Sequence, residues 1–172
     1  MRPYSPRWPA EFEQEAADLR ARLGPWLAGA IEHVGSTAVP GLAAKPILDM
    51  LAPVHDLGEA RAAAPELAAL GYRREDHRPQ EALWFYKQPG DDYQARTHQL
   101  HLTRTYSDLW RERVAFRDAL RADPALLREY QALKRNLSSA LDLAEYTRGK
   151  RGFVATVLKA AGVDLAKPRF GQ

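Results

Sequence analysis

The chain has no cysteine among its 172 residues. Disulfides, thiolate zinc sites and a cysteine nucleophile are therefore excluded, and the sequence does not indicate the redox compartment. No apolar run approaches the roughly 18 residues needed to span a bilayer. The N-terminus "MRPYSPRWPAEFEQE" also lacks the apolar segment of a signal peptide. We therefore predict a cytoplasmic protein with no membrane partner.

A large excess of one charge is also missing, since 25 Lys and Arg residues stand against 22 Asp and Glu. The net charge of +3 is small for a protein whose main partner is nucleic acid, and the composition argues against that partner. Trp84, Phe85 and Tyr86 offer a surface on which bases could stack. Aromatic residues in a strand are more typical of a core.

The order of apolar patterns predicts an α+β fold with a mixed sheet, flanking helices and a C-terminal helical segment. A helix begins near "WPAEF", and another covers residues 56–70, where Pro65 bends or interrupts it and Gly71 ends it. Three helices follow Ser107. The predicted strands are "AIEHVG", "KPILDMLAPV", "YRRED", "ALWFYKQ" and "RTHQLHLTRT".

The length of the chain favours a single domain over several. We expect this domain to cover residues 1–165, with its C-terminal helices starting at about residue 107. Residues 166–172 are expected to form a frayed tail.

Asp49 lies inside an apolar strand, where an unpaired carboxylate is strongly unfavourable unless donors, a cation or water reach it. Strand alternation places residues 47, 49 and 51 on one face. Because residue 51 is leucine, Asp49 is the acidic residue that this strand contributes to that face. Lys45, at the strand entrance, could contact a phosphate or neutralise Asp49. Two unit charges about 4 Å apart interact by roughly 4 kcal/mol at an effective dielectric of about 20.

Gly35, Ser36 and Thr37 form a small turn upstream of Asp49. Backbone N–H groups and hydroxyls in such a turn can converge on phosphate oxygens. The alternative is that Ser36 and Thr37 hydrogen-bond Asp49 and only fix the loop.

His98 and His101 are three residues apart, so in a regular strand they point to opposite faces. They cannot both join Asp49 without a bulge. For His101, the two interpretations are a hydrogen-bonded structural histidine and a residue that binds a ligand or handles a proton.

The stretch "HVGSTAVPGLAAKPILDM" resembles the GrpB family of bacterial proteins, as do "YSPRWPAEF", "HQLHL", "FRDALRADP", "YQALKRNL" and "YTRGKRGF". The family is similar to a divergent branch of the nucleotidyltransferase superfamily. Those enzymes carry a Gly-Ser turn, a strand with two alternate carboxylates, and a third carboxylate on a further strand. By this resemblance Gly35 and Ser36 match the turn and Asp49 the first carboxylate. Leu51 departs at the second position, and His101 is our candidate for the third.

The resemblance implies a nucleotidyltransferase-like fold that binds a nucleoside triphosphate or other phosphate ligand near the turn. One carboxylate holds two divalent ions poorly, so we expect a single Mg²⁺ or Mn²⁺ with Asp49 and His101 as ligands. The remaining expected ligand contacts come from Gly35, Ser36, Thr37, Lys45 and Lys150.

Lys150 belongs to a pattern of the family, here Tyr146, Lys150 and Phe153, which suggests that it faces the sheet. The alternative is a solvated helix face. Two other functions stay open. One is an active metal-dependent nucleotidyltransferase with Asp49 as its catalytic residue. The other is a non-catalytic accessory or chaperone-like protein with a protein partner, which is favoured by family members resembling a module fused to dephospho-coenzyme A kinase.

Overall fold

The structure is a computed structural model that describes residues 1–75, 80–137 and 143–164, the side chains of residues 143–147 excepted. The chain forms two compact units, residues 1–110 and residues 111–172. The expected single domain over residues 1–165 stays a prediction, and the expected tail lies outside the described residues.

The first unit contains a five-stranded mixed sheet, which confirms the predicted α+β class. In space the strands follow the order β1, β2, β5, β4, β3. The β2 and β5 strands pair in parallel, and the other neighbours are antiparallel. The strands are β1 Glu32–Val34, β2 Leu48–Val54, β3 Arg73–Glu75, β4 Leu83–Lys87 and β5 His98–Arg104.

Two helices, α1 Trp8–Leu23 and α2 Ala64–Ala69, pack against one face of this sheet. The helical spacing of apolar residues in α1 predicts a buried stripe, and the structure confirms it. These residues share a core with Met50, Leu100 and Leu102 of the central strands. The buried stripe of α1 is Phe12, Ala16, Leu19 and Leu23.

The segment before β3 differs in detail from the single interrupted helix that the sequence predicts. Residues Glu59–Ala63 form a 3-10 helix, and Pro65 occupies the first turn of α2. Proline is tolerated there because the first N–H groups of a helix have no intrahelical partner. Gly71 follows the helix with φ +84°, as expected of a glycine that ends a helix.

The register of the sheet fixes the face on which each strand residue lies. Asp49 pairs with Val34 of β1 and with Gln99 of β5, and Leu51 pairs with His101. Paired residues share a face, so His101 lies on the face of Asp49. His98 pairs with Leu48 on the other face, which confirms the prediction that the two histidines point to opposite sides.

In the part of the chain that the structure describes, three helices follow the sheet, as predicted: α3 Asp108–Ala122, α4 Pro124–Asn136 and α5 Leu143–Ala160. The Ser107 hydroxyl accepts a hydrogen bond from the Trp110 N–H at 3.2 Å and caps α3. Asp123 caps α4 by accepting from two backbone N–H groups, 2.7 and 3.1 Å away. The aromatic rings of Phe116, Tyr130 and Phe153 pack together in the second unit.

Among the helices of the described residues, none is both long enough and apolar enough to cross a membrane.

Candidate functional site

The turn at Gly35 and the carboxylate of Asp49 lie against each other at one end of β2. Because Val34 pairs with Asp49, the turn begins one residue after that pair. Gly35 has φ +71°, a conformation that residues with a side chain rarely adopt. A Cβ atom built there would collide with Asp49 Oδ2 and lie 2.9 Å from its Cγ. Glycine is therefore required both by the backbone and by the close approach of the carboxylate.

Gln99 holds the half-buried Asp49 from the neighbouring strand. With the orientation of its amide assigned from the neighbouring groups, Gln99 donates from nitrogen to Asp49 Oδ1 at 2.8 Å and accepts at oxygen from Arg96 Nε at 3.0 Å. This orientation of the amide satisfies both neighbours at once. A guanidinium is thereby connected to the carboxylate through a neutral side chain.

Arg96 is held in turn by Tyr93. Its Cζ atom lies 4.3 Å from the centroid of the Tyr93 ring, and Nη1 donates to the Tyr93 carbonyl at 3.1 Å. The Tyr93 hydroxyl donates to Glu75, with oxygen distances of 3.1 and 3.2 Å. Burial raises the pKa of the Tyr93 phenol, which therefore stays protonated at neutral pH. We call the following set the Asp49 cluster: Gly35, Asp49, Tyr93, Arg96 and Gln99.

Thr37 is fully buried and its hydroxyl fixes the loop. The hydroxyl donates to the Ile47 carbonyl at 2.9 Å, so its oxygen must accept from His33 Nε2, 3.0 Å away. The His33 ring stacks on Phe12 with centroids 4.7 Å apart, which ties the loop to α1. The structural role that the sequence left open is therefore present, although the hydroxyl of Thr37 bonds to His33 and Ile47 rather than to Asp49.

The other predicted ligand contacts are distributed over both units. Ser36 is partly buried and begins the short 3-10 turn Ser36–Ala38. Lys45 is exposed, and it forms no ion pair within residues 1–75, 80–137 and 143–164, so it does not neutralise Asp49. Lys150 lies half-buried on α5, in the second unit.

His101 lies on the face of Asp49 but one pair further along the sheet, opposite Leu51. It is 2% exposed, and its ring centroid lies 4.2 Å from that of Trp84. The residue directly opposite Asp49 is Gln99. Sequence reasoning missed it because a neutral amide gives no ligand signal, although alternation from His101 already places residue 99 on the same face.

The side chains around Asp49 are better suited to bind one divalent cation than two. In the described part of the chain, no group of three or more His, Asp or Glu side chains is placed to hold a metal ion. A single Mg²⁺ often takes one carboxylate and completes its coordination with phosphate oxygens and water. Paired metals need several anionic ligands, and Leu51 and Gln99 supply no charge beside Asp49.

A second polar group lies on the opposite face of the sheet, beneath α1. The Glu15 carboxylate accepts from the Tyr72 hydroxyl at 2.9 Å and from Lys87 Nζ at 2.6 Å, and His98 Nε2 lies 3.6 Å from it. Burial raises the pKa of the Tyr72 phenol, and burial lowers the pKa of His98 against the opposing charge of Glu15. We call these four residues the Glu15 cluster.

Comparison with known proteins identifies relatives along nearly the whole chain. A family model described as "GrpB protein" matches residues 1–160. A "UPF0157 protein" of Deinococcus radiodurans is 35% identical over 156 residues, which cover 90% of this chain and 78% of that protein. The crystal structure of the conserved protein GrpB from Enterococcus faecalis superposes with a TM-score of 0.81 at 31% identity, covering 92% of this chain and 94% of the other.

A further relative is a dephospho-CoA kinase of Mycolicibacterium paratuberculosis. It is 29% identical over 165 residues, which cover 81% of this chain and 40% of the kinase. The protein named dephospho-CoA kinase therefore contains a segment that is similar to most of the present sequence.

Proposed function

The chain belongs to the GrpB family, and from that premise we propose that it binds a nucleotide or nucleotide-derived phosphate ligand at the Asp49 cluster. The observation that carries this proposal is the contact between the Asp49 carboxylate and the Gly35 turn. It brings a carboxylate, a group that can bind a cation, next to Gly35, which has no side chain, at the same end of the sheet. This combination suits a phosphate bound with a cation, because the carboxylate can share a cation with phosphate oxygens and a turn can offer backbone N–H groups.

The charges around Asp49 favour binding over nucleotidyl transfer. On the face of Asp49, Leu51 is fully buried and apolar, and Gln99 is neutral. Glu32 of β1 lies opposite Leu51 on the same face, but within the described residues it completes no group of three side chains that could hold a metal ion. Transfer with two metal ions requires several anionic ligands to hold the ions roughly 3.5–4 Å apart. We therefore propose a site that takes one Mg²⁺ or Mn²⁺ together with the phosphates of its ligand.

Thermal unfolding tests this proposal. A ligand that binds only the folded state at about 100 times its Kd stabilises a protein by about 2.7 kcal/mol. ATP with Mn²⁺ should therefore raise the Tm of the wild type, and Asp49→Asn should lose the Mn²⁺-dependent part of the shift. Asp91→Asn is the matched control, because it removes the same charge from a fully exposed side chain.

The proposal is contradicted if ATP shifts the wild type neither with nor without Mn²⁺, and also if the Asp49→Asn variant responds as the Asp91→Asn control does.

The relative named as a dephospho-CoA kinase favours a second role, in which the chain accompanies another protein that handles a nucleotide-derived compound. Dephospho-CoA carries an adenosine diphosphate moiety, so it belongs to the proposed ligand class. Adding it to the thermal assay without ATP distinguishes the two roles. A shift with dephospho-CoA that exceeds the shift with ATP supports the accessory role, and the reverse order supports a general nucleotide site.

A further inference from the structure

We infer that Gln99 and Arg96 determine how the Asp49 cluster recognises phosphate. In this inference, Gln99 prevents a second cation from binding beside Asp49, and Arg96 binds the phosphate directly. The inference rests on the proposed function and names the residues that select its ligand.

The position of Gln99 supports the first part of the inference, that this residue prevents a second cation from binding. It lies directly opposite Asp49 in the parallel pair of β2 and β5, and its amide nitrogen is 2.8 Å from Asp49 Oδ1. A carboxylate of the same length would place a second negative charge at this distance. Two carboxylates so close recruit a proton or a cation, and Arg96, with Nε 3.0 Å from the same side chain, offsets only one of the two charges. Because the Gln99 amide is neutral, Asp49 is the one negative charge that β2 and β5 bring to this site.

The contacts of Arg96 support the second part of the inference, that this residue binds the phosphate. A guanidinium has five N–H donors in a rigid plane. Nε is bound to Gln99, one Nη1 donor is bound to the Tyr93 carbonyl, and the plane rests on the Tyr93 ring. As far as the described residues extend, Nη2 makes no hydrogen bond. Arg96 is thus fixed in place beside the cluster with donors left for phosphate, which a planar guanidinium binds with two parallel hydrogen bonds.

The combined charge indicates the class of ligand. Asp49 and Arg96 together sum to zero, and Glu75, hydrogen-bonded to Tyr93, adds a negative charge, so the protein alone does not attract an anion strongly. A ligand with several phosphate charges would then bring its own cation to Asp49 and place another phosphate oxygen on Arg96. We therefore assign the site to phosphoanhydrides, such as nucleoside di- and triphosphates or diphosphate esters, bound with one divalent cation.

Two titrations by calorimetry test the inference, Mn²⁺ alone and ATP at a fixed Mn²⁺ concentration. Gln99→Glu should bind Mn²⁺ alone at least about tenfold more tightly than the wild type, because it adds a charge beside Asp49. Arg96→Gln should weaken ATP binding about tenfold or more, which corresponds to a lost hydrogen bond to a charged group. Arg61→Gln, which changes an exposed arginine in the same unit, should leave both affinities unchanged.

The outcomes separate this inference from the proposed function. If the wild type binds no ATP, the proposed function fails, and the Mn²⁺ titration of Gln99→Glu still decides the role of Gln99. Unchanged Mn²⁺ affinity in that variant overturns its role. If the wild type binds ATP and Arg96→Gln binds it as tightly as Arg61→Gln does, the role of Arg96 is overturned while the function stands.

A more conservative variant guards against misfolding. Arg96→Lys keeps the positive charge but loses the planar fork and its two-point contact. It should therefore fold and bind ATP less tightly than the wild type. An affinity equal to that of the wild type would show that only charge matters at this position, and would contradict recognition by the guanidinium plane.

Discussion

The Asp49 cluster and the Glu15 cluster lie on opposite faces of one sheet. Two neighbouring residues of β5 belong to them, Gln99 to the Asp49 cluster and His98 to the Glu15 cluster. Each contains one carboxylate near a basic side chain. Glu15 is 8% exposed and accepts hydrogen bonds directly from Tyr72 and Lys87, whereas Asp49 is half-buried and is connected to Arg96 through a neutral amide. The comparison indicates that a carboxylate enclosed by its own donors supports the fold, while a partly exposed one against a glycine turn is placed to meet a ligand.

The comparison is tested most strongly by removing each charge in turn. Glu15→Gln should lower the free energy of unfolding by about 3 kcal/mol, because it leaves the Lys87 ammonium without its carboxylate in a largely buried site. Asp49→Asn should cost less than about 1 kcal/mol, since its amide oxygen can still accept from Gln99. Urea unfolding at neutral pH measures both values. Equal costs for the two variants would remove the distinction between the clusters.

The turn beside Asp49 gives the next largest effect. Gly35→Ala should destabilise the protein by about 2 kcal/mol, because alanine is strained at φ +71° and its Cβ collides with the Asp49 carboxylate. Gly90→Ala is the matched control, since Gly90 has the same φ of 71° but open space around a built Cβ. That variant should cost about 1 kcal/mol from backbone strain alone.

Urea unfolding measures both glycine variants, and the difference between them reports the collision with Asp49 together with the ψ of −169° at Gly35. If Gly35→Ala is no less stable than Gly90→Ala, the carboxylate does not rest on the turn, and the geometry that supports the ligand site is wrong.

The smallest expected effect is a pH dependence from the Glu15 cluster. Burial and, to a lesser extent, Lys87 lower the pKa of His98 below its ordinary value of about 6.5, against the opposing charges of Glu15 and Glu11. Below about pH 6.5 the unfolded chain therefore binds more protons at this residue than the folded chain does. The free energy of unfolding should fall as the pH drops through this range and gain nothing further from His98 above it.

Urea unfolding between pH 5.5 and pH 8 measures this dependence. His98→Gln should reduce the slope of stability against pH relative to the wild type. His55→Gln, which changes an exposed histidine, should keep that slope. A slope that His98→Gln leaves unchanged or makes steeper would contradict the lowered pKa.

Features that depend on neighbouring residues in the chain could be predicted from the sequence. The apolar stripe of α1, the caps Ser107 and Asp123, and the face occupied by Asp49 all follow from helical spacing, turn chemistry or strand alternation. The opposite orientations of His98 and His101 follow from alternation in the same way. Each of these inferences needs only a short window of residues.

The partners of both carboxylates could not be predicted, because they depend on strand order and register. Tyr72 and Lys87 are 57 and 72 residues from Glu15, so no local pattern connects them. Strand alternation separates the faces of His98 and His101, but only the parallel pairing of β2 with β5 places His101 on the face of Asp49 and brings Gln99 opposite Asp49. The contact with Arg96 then follows from Gln99.

The location of the bound cation tests the central claim most directly. Crystals grown with ATP and Mn²⁺, measured at a wavelength where manganese scatters anomalously, would show each ion as a peak. Our account predicts a single peak beside the Asp49 carboxylate, with ATP phosphate oxygens completing its coordination. A peak at any other place, or ATP bound with no ion at Asp49, would contradict it.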